Sequence, residues 1–408
     1  MSDYKYPKID KKSKAPAFRE RMSGNEAVSY AIRQIDPDVI AAFPITPSTE
    51  IPQYISKYKA DGKISTEFVT VESEHSAMSA CIGASASGVR AMTATSSAGM
   101  ALMYELLYVA ASDRLPVVMA AVNRALTGPI NINADHSDSM GARDSGWIQI
   151  YSENAQEAYD NMLMAHRIGE HPDVKLPVMI CQDGFITSHA IENILLESDE
   201  FAKEFVGEYT PEKFLLNTKE SLGVGPYGIS PYYMEAKRGQ EQAMENAREV
   251  IAQISKLYSD ATGRLYDFFE AYRMDDAEYA ILIMGSASGT AKDAVDNLRA
   301  EGKKVGLIKL RVFRPFPFDK IAQALSKVKG LAIMDRSEGF SASGGPLGAE
   351  VRSALYGRVD GIKTINYIYG LGGRDMRVRD FEDIYAEIMA IKADEIPELY
   401  KYYGVRER

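Results

Sequence analysis

Along the first half of the chain, short runs of small and β-branched apolar residues alternate with longer stretches whose apolar positions recur every three or four residues. The runs at about 38–43, 67–71, 90–95, 116–122 and 175–181 carry almost no polar face, as expected of parallel strands covered by helices on both sides. Between them the spacing predicts helices over about 49–60, 74–87, 100–112 and 156–170. An earlier helix is opened by Ser23-Gly24-Asn25-Glu26, with Ala27, Val28, Tyr30, Ala31 and Ile32 toward the core. Strand and helix in this alternation predict a doubly wound α/β sheet.

The pattern breaks from 183 to about 233. Gly223, Gly225, Pro226, Gly228 and Pro231 gather there and 205–216 has no clean period, so an irregular excursion over the surface or onto a partner is expected. A long helix at about 238–258, apolar at Ala243, Ala247, Val250, Ile251 and Ile254, leads out of it. The alternation then resumes, with strands at about 279–284, 304–310, 330–334 and 363–369 and helices at about 287–301, 318–326 and 346–356. The expected division is an aperiodic N-terminal arm over 1–22, Lys-rich through Lys14, a first α/β domain over 23–261 with the excursion and connecting helix, and a second α/β domain over 262–408.

Composition narrows the class without changing this picture. With 46% apolar and 25% charged residues over 408, the chain reads as globular with a sizeable core. No apolar run approaches the roughly 18 residues that span a bilayer, and the charged N-terminus lacks a signal-peptide core, so a cytoplasmic protein without a membrane partner is expected. The net charge of −10, with no basic run carrying interleaved aromatics, argues against nucleic acid. Cys81 and Cys181 are too few for a disulfide framework or a four-cysteine iron–sulfur site.

Candidate chemistry sits where strands end. Phe-Pro-Ile-Thr-Pro-Ser-Thr at 43–49 follows the first strand, and Pro44 and Pro47 limit the backbone on either side of Thr46, holding its hydroxyl. The plainer alternative is a turn with Ser48 or Thr49 as helix cap. Glu72 and Glu74 come off the next strand end, before a helix of almost entirely small residues at 76–87; carboxylates there also complement a helix dipole. The stretch 123–146 exceeds the about 12–15 residues beyond which a loop is usually functional or disordered. At its start, Arg124 suits bidentate pairing with a small carboxylate, or a structural pair with a nearby aspartate. Asp135-His136-Ser137-Asp138 has the atom types for a divalent ion, but four adjacent loop residues do not easily face one centre, and loop-stabilising hydrogen bonds are the commoner use. Gly285 to Thr290 stands where a phosphate loop would lie, yet it lacks the Gly-x-Gly-x-x-Gly fingerprint and a P-loop lysine.

Seven blocks in order carry a resemblance: Phe-Pro-Ile-Thr-Pro-Ser-Thr at 43–49, Glu-Ser-Glu-His-Ser-Ala at 72–77, Thr-Ser-Ser-Ala-Gly-Met at 95–100, Asn-Arg-Ala at 123–125, Asp-His-Ser-Asp at 135–138, Arg-Asp-Ser-Gly-Trp at 143–147 and Asp-Gly-Phe-Ile-Thr-Ser-His at 183–189. Together they resemble the alpha subunit of the multi-subunit pyruvate:ferredoxin oxidoreductases, over nearly the whole chain. The resemblance implies a thiamine diphosphate site shared with a beta subunit, this chain supplying the aminopyrimidine side, followed by a transketolase C-terminal-like domain used for packing and assembly. It assigns Glu74, rather than its rival Glu72, to N1′ of the pyrimidine, with Pro44, Ile45 and Ser97 beside the cofactor. Thr46 and Arg124 are assigned to the carboxylate of pyruvate.

The implied reaction is oxidative decarboxylation of pyruvate with coenzyme A to acetyl-CoA and carbon dioxide, with electrons passing to ferredoxin. Thiamine enzymes commonly hold Mg²⁺ and diphosphate with Gly-Asp-Gly, which is absent here; Gln182-Asp183-Gly184-Phe185 lacks the first glycine. Mg²⁺ and the [4Fe-4S] clusters are therefore expected on beta, gamma and delta-type partner subunits, with no metal on this chain. Relatives acting on branched-chain 2-oxoacids share several blocks and form the first alternative. A non-catalytic scaffold is the second, and it would have no need of Thr46, Glu74 and Arg124 together.

Overall fold

The computed structural model describes residues 16–392 and 394–406, so the Lys-rich part of the arm through Lys14 lies outside the described residues. In chain order the strands are β1 (Phe18–Met22), β2 (Val39–Ala42), β3 (Glu67–Thr70), β4 (Ala91–Thr95), β5 (Val118–Asn123), β6 (Ile148–Ser152), β7 (Val178–Asp183) and β8 (Glu192–Leu196). They continue with β9 (Phe269–Tyr272), β10 (Tyr279–Ile283), β11 (Val305–Leu310), β12 (Val312–Arg314), β13 (Gly330–Asp335), β14 (Lys363–Ile368) and β15 (Tyr400–Tyr402). A seven-stranded sheet has the order β12-β6-β7-β5-β4-β2-β3, parallel except for β12 at its edge. A six-stranded sheet has the order β15-β14-β13-β10-β11-β9, parallel except for β9. The doubly wound α/β class expected from the apolar runs is the observed one.

Several expectations are corrected. The last residues of the arm are not aperiodic chain but β1, paired antiparallel with β8, and β8 itself lies inside the supposedly irregular excursion together with the helix Asp199–Val206. The long helix runs Ser230–Thr262, starting before 238 because Pro231 is accommodated in its first turn, where no intrahelical N–H is needed. β6 follows directly on the long loop: Gln149 looks polar in sequence, but its Nε2 is buried and donates to the Ser139 carbonyl at 2.8 Å. β9, β12 and β15 are short edge strands, too brief for a period to show, and the helix Val378–Ala390 buries Phe381, Ile384, Tyr385 and Ile388 at an unanticipated helical spacing.

The two large sheets are stitched by the chain itself. β11 ends at Leu310 in one sheet and β12 begins at Val312 in the other, and Arg311 between them is wholly buried. Its guanidinium donates to Asn161 Oδ1 at 2.8 Å, Ser255 Oγ at 3.2 Å and the Asp267 carbonyl at 3.0 Å, and its own carbonyl accepts from the Tyr151 amide at 2.7 Å. Burial lowers its proton affinity only from a very high starting point, so it stays charged.

Beside it, the helix Ala155–Gly169 is buried along almost its whole length, which forces its polar residues to pair. Asp160, with a fully buried side chain, accepts from Arg264 Nε at 2.7 Å and Nη2 at 2.9 Å, from Tyr258 OH at 2.6 Å and from Tyr266 OH at 2.5 Å. This carboxylate ties the first sheet's buried helix to the chain entering the second sheet. Removing one member of such a pair strands the other charge, at a cost of about 3–5 kcal/mol. Asp160→Ala is expected to lower the thermal unfolding midpoint by several degrees; an unaltered melting profile would contradict this description of the junction.

Candidate active site

In the parallel sheet, β2 lies between β3 and β4: the chain first winds to one side of β2 and then returns on the other. At such a point the loops leaving adjacent strand ends diverge and open a crevice. Thr46 follows β2, Glu74 follows β3, Ser97 follows β4 and Arg124 follows β5, so all four reach the same sheet edge.

The turn after β2 is held from beneath. Ser48 Oγ donates to the Ile45 carbonyl at 2.8 Å, and the helix Glu50–Ala60 has no side-chain cap, so neither Ser48 nor Thr49 plays the capping part. Asn25 Nδ2 donates to the Pro47 carbonyl at 2.9 Å and is itself fixed by Gln182 Nε2 on Asn25 Oδ1 at 3.0 Å. Gly184 is required here: a Cβ would lie 2.6 Å from both Pro47 Cγ and the Asn123 carbonyl oxygen. The supported turn presents Pro44 and Thr46 exposed and Ile45 half-buried. Arg124, only 6% exposed, donates from Nη1 to the Thr46 carbonyl at 2.9 Å and from Nε to the Asn131 carbonyl at 3.0 Å. Its guanidinium is thus placed against Thr46 by neutral acceptors, not by one of the loop aspartates, and its charge is available to a ligand anion.

Glu74 opens the helix Glu74–Ala86, whose N-cap Ser73 accepts from the Ser76 amide at 3.2 Å. Glu74 is 6% exposed while Glu72 is exposed, and among the described residues the Glu74 carboxylate has no hydrogen bond or ion pair. Thr95 Oγ1, at the end of β4, and Ser96 Oγ next in the chain are buried without partners. A Cβ on Gly99 would fall 2.3 Å from Thr95 Oγ1 and 2.7 Å from Glu74 Oε1, so only glycine lets the strand-end hydroxyl and the carboxylate converge. Buried polar groups without partners are rare enough to mark a place where something else completes them.

One carboxylate braces these pieces. Asp138 Oδ2 accepts from the Ser97 amide at 2.9 Å and the Arg124 amide at 3.0 Å, while Oδ1 accepts from Asn123 Nδ2 at 2.8 Å and the Ser139 amide at 2.7 Å. Burial pushes its carboxyl up to about 6, and these donors keep it from rising further, leaving it ionised at neutral pH. Ser97 sits at φ +46°, a strained value for a residue with a side chain, and its hydroxyl donates to the Ala125 carbonyl at 2.5 Å. With both N–H and hydroxyl committed and no exposure, Ser97 stands as a brace below the crevice.

Asp135, His136, Ser137 and Asp138 diverge instead of enclosing an ion. Asp135 accepts from Ser137 Oγ at 2.6 Å and the Gly372 amide at 3.2 Å, and His136 Nε2 contacts Asp183 Oδ1 at 2.8 Å. Asp183 also takes Arg336 Nη1 at 2.9 Å and the Ser286 amide and hydroxyl at 2.8 and 2.5 Å. Burial alone would raise its carboxyl, but Arg336 and then His136 hold it well below the usual carboxylate range. The Gly285 to Thr290 loop therefore has its helix N-terminus occupied by the protein's own carboxylate, and Asp183 is committed between the sheets. Sequence reasoning reaches Asp138 only as one of four residues with ion-ligand atom types, and Thr95 and Ser96 only as members of a motif block; the bracing carboxylate and the unpartnered hydroxyls appear with the fold.

Residues 30–256 match the family model described as pyruvate flavodoxin/ferredoxin oxidoreductase, thiamine diphosphate-binding, and residues 277–381 match pyruvate:ferredoxin oxidoreductase core domain II. Pyruvate synthase subunit PorA of Thermotoga maritima is 49% identical over 389 residues, 95% of this chain and 98% of that one. Ketoisovalerate oxidoreductase subunit VorA of Pyrococcus horikoshii is 42% identical over 370 residues, 90% of this chain and 93% of that one. In fold, the structure is similar to 2-oxoglutarate:ferredoxin oxidoreductase from Magnetococcus marinus, with a TM-score of 0.70 at 20% identity over 91% of this chain and 65% of that longer one. An unpaired buried carboxylate beside an unpaired buried hydroxyl, brought together at Gly99, is a donor set that a nitrogen heterocycle such as an aminopyrimidine would complete.

Asp138→Asn tests the brace. Either orientation of an amide turns its NH₂ toward two N–H donors, so a loss of about 1–3 kcal/mol is expected, with faster hydrogen exchange at the Ser97 and Arg124 amides. Unchanged exchange at both amides would show that Asp138 does not hold them.

Proposed function

The chain belongs to the pyruvate:ferredoxin oxidoreductase family, and on that premise we propose that it is the alpha subunit that forms the pyrimidine wall of a shared thiamine diphosphate site and orients a 2-oxoacid, foremost pyruvate, for oxidative decarboxylation to acetyl-CoA. The observation that carries this reading is the buried, unpartnered Glu74 at the same sheet edge as Thr46 and Arg124. Thiamine diphosphate, when bound, supplies the carbon nucleophile and the electron sink that a side chain cannot.

The chain's own residues have two tasks. Glu74 holds a proton at the pyrimidine N1′, for which a carboxylate without a competing cation suits best. Arg124 and the Thr46 hydroxyl, which has no hydrogen bond among the described residues, orient the substrate carboxylate without enclosing it, so that it can leave as carbon dioxide. Pro44 and Ile45, on the turn before Thr46, are the residues this reading assigns beside the cofactor.

The remaining parts belong to partners. Cys81 and Cys181 are both buried and free, so the [4Fe-4S] clusters that carry electrons to ferredoxin are assigned to gamma and delta-type subunits, and Mg²⁺ with the diphosphate end to a beta subunit. Coenzyme A meets the acyl group in the assembled complex. The branched-chain alternative is favoured by one observation, the VorA relative at 42% identity, since a change from methyl to isopropyl is worth only about 1–3 kcal/mol in an apolar pocket.

The deciding experiment is turnover of the co-purified complex with pyruvate, 2-oxoisovalerate and 2-oxoglutarate, using a redox dye as acceptor. Pyruvate is expected to give the highest kcat/KM; preference for 2-oxoisovalerate would establish the alternative. Arg124→Ala is expected to raise the oxoacid KM about tenfold to a hundredfold, the worth of a charged hydrogen bond, and Thr46→Val to raise it several-fold. An unchanged KM in both would remove their substrate roles.

A further inference from the structure

Of the two hydrogen bonds that aim the Arg124 guanidinium, one ends on the Thr46 carbonyl beside β2 and the other on the Asn131 carbonyl in the long loop. What fixes Asn131 is not the first sheet. Its Nδ2 donates to the Gly372 carbonyl at 3.1 Å, and two further bonds follow on the same turn: the Gly373 amide to the Ala134 carbonyl at 2.7 Å and the Gly372 amide to Asp135 Oδ2 at 3.2 Å. Inside the loop, Asn131 Oδ1 accepts from the Asn133 amide at 2.7 Å, and the Asn133 carbonyl accepts from the Ala125 amide at 3.1 Å, closing a ring back to the residue after Arg124.

The turn on the other side is built for this approach and for nothing larger. Gly370, Gly372 and Gly373, just past β14 of the second sheet, have φ of +63°, +59° and +80°. A Cβ on Gly372 would lie 2.4 Å from Asn131 Nδ2, and one on Gly373 would lie 2.4 Å from Asn133 Cβ. The turn is anchored in its own sheet by Arg336, whose Nε donates to the Gly370 carbonyl at 3.2 Å while its Nη1 reaches Asp183. A continuous set of short polar contacts thus runs from β14 through the glycine turn and Asn131 to Arg124.

We propose that the 370–373 glycine turn of the second sheet is a positioning element for Arg124, so that the C-terminal half of the chain helps set the affinity for the oxoacid carboxylate as well as packing against the first sheet. This rests on the reading of Arg124 as the substrate-carboxylate ligand. The turn touches neither substrate nor cofactor; it acts by fixing the acceptor on which the guanidinium rests. A methyl at Gly372 would push Asn131 Nδ2 off the Gly372 carbonyl and so release the residue whose backbone carbonyl holds Arg124; displacements near 1 Å that reach a substrate-binding group cost about one to two orders of magnitude.

The test uses the assembled complex carrying Gly372→Ala, Asn131→Ala, Arg124→Ala and the Gly372→Ala/Arg124→Ala pair, with steady-state kinetics, thiamine diphosphate titration and melting curves. Gly372→Ala and Asn131→Ala are expected to raise the oxoacid KM about tenfold, leaving kcat at saturation within a few-fold and cofactor affinity unchanged. In the Arg124→Ala background Gly372→Ala is expected to add nothing, because it acts only through that side chain. A KM that rises with Arg124→Ala but not with Gly372→Ala or Asn131→Ala would overturn the inference, as would effects that simply multiply in the double variant. A KM insensitive to Arg124→Ala would overturn the underlying reading itself. Should Gly372→Ala melt at a lower temperature, Asn131→Ala, which introduces no clash, carries the decision.

Discussion

Parallel strands all finish at one edge of their sheet, and everything this chain presents for chemistry follows from that constraint. β5, β4, β2 and β3 are neighbours, so the four loops that leave them are forced together although Thr46 and Arg124 are far apart in sequence. The reversal of winding around β2 then separates the loops enough to leave a crevice. Glu74 is the residue this arrangement buries without a partner, and an unpaired buried carboxylate is sustained only where the rest of the fold over-determines it.

Over-determination comes from two other buried carboxylates. Asp138 gathers the amides of Ser97 and Arg124 with the side chain of Asn123, fixing the ends of β4 and β5 relative to each other. Asp183, at the end of β7, joins His136 of the long loop to Ser286 and Arg336 of the second sheet. Each is satisfied by several donors, which is the condition under which a buried charge specifies geometry instead of merely costing desolvation. The long loop is accordingly fixed at both ends and in its middle, and it serves as the joint between the two sheets.

Much of this was legible in the chain. Continuous apolar runs announced the parallel strands β2, β3, β4, β5, β7, β10, β11, β13 and β14, because strands covered on both faces need no polar alternation. Strand-end motifs led to Thr46, Glu74 and Arg124, and the exposure of Glu72 against the burial of Glu74 separates two glutamates that sequence spacing alone leaves equivalent. What escaped depends on long-range partners. β1 and β8 are strands only because they pair with each other across some 170 residues, a cost in loop closure that local composition does not register. β6 went unread because a buried Gln149 interrupts its apolar run, and only the fold shows its Nε2 donating to the Ser139 carbonyl. Asp138 looked like one of four residues of a possible ion site, and only the folded positions of Ser97 and Asn123 turn it into a brace. The glycines at 370–373 gave no sign of Arg124 at all.

The most direct measurement of the central claim compares Glu74→Gln with Glu72→Gln in the assembled complex, scoring oxoacid turnover alongside subunit co-purification and bound thiamine diphosphate. Glu74→Gln keeps the size and shape of the side chain but cannot hold the proton at N1′, so turnover should fall by about a hundredfold or more while the complex still assembles. Glu72→Gln, at an exposed position, should stay within a few-fold of the unsubstituted enzyme. Near-normal turnover by the Glu74→Gln complex would contradict the account.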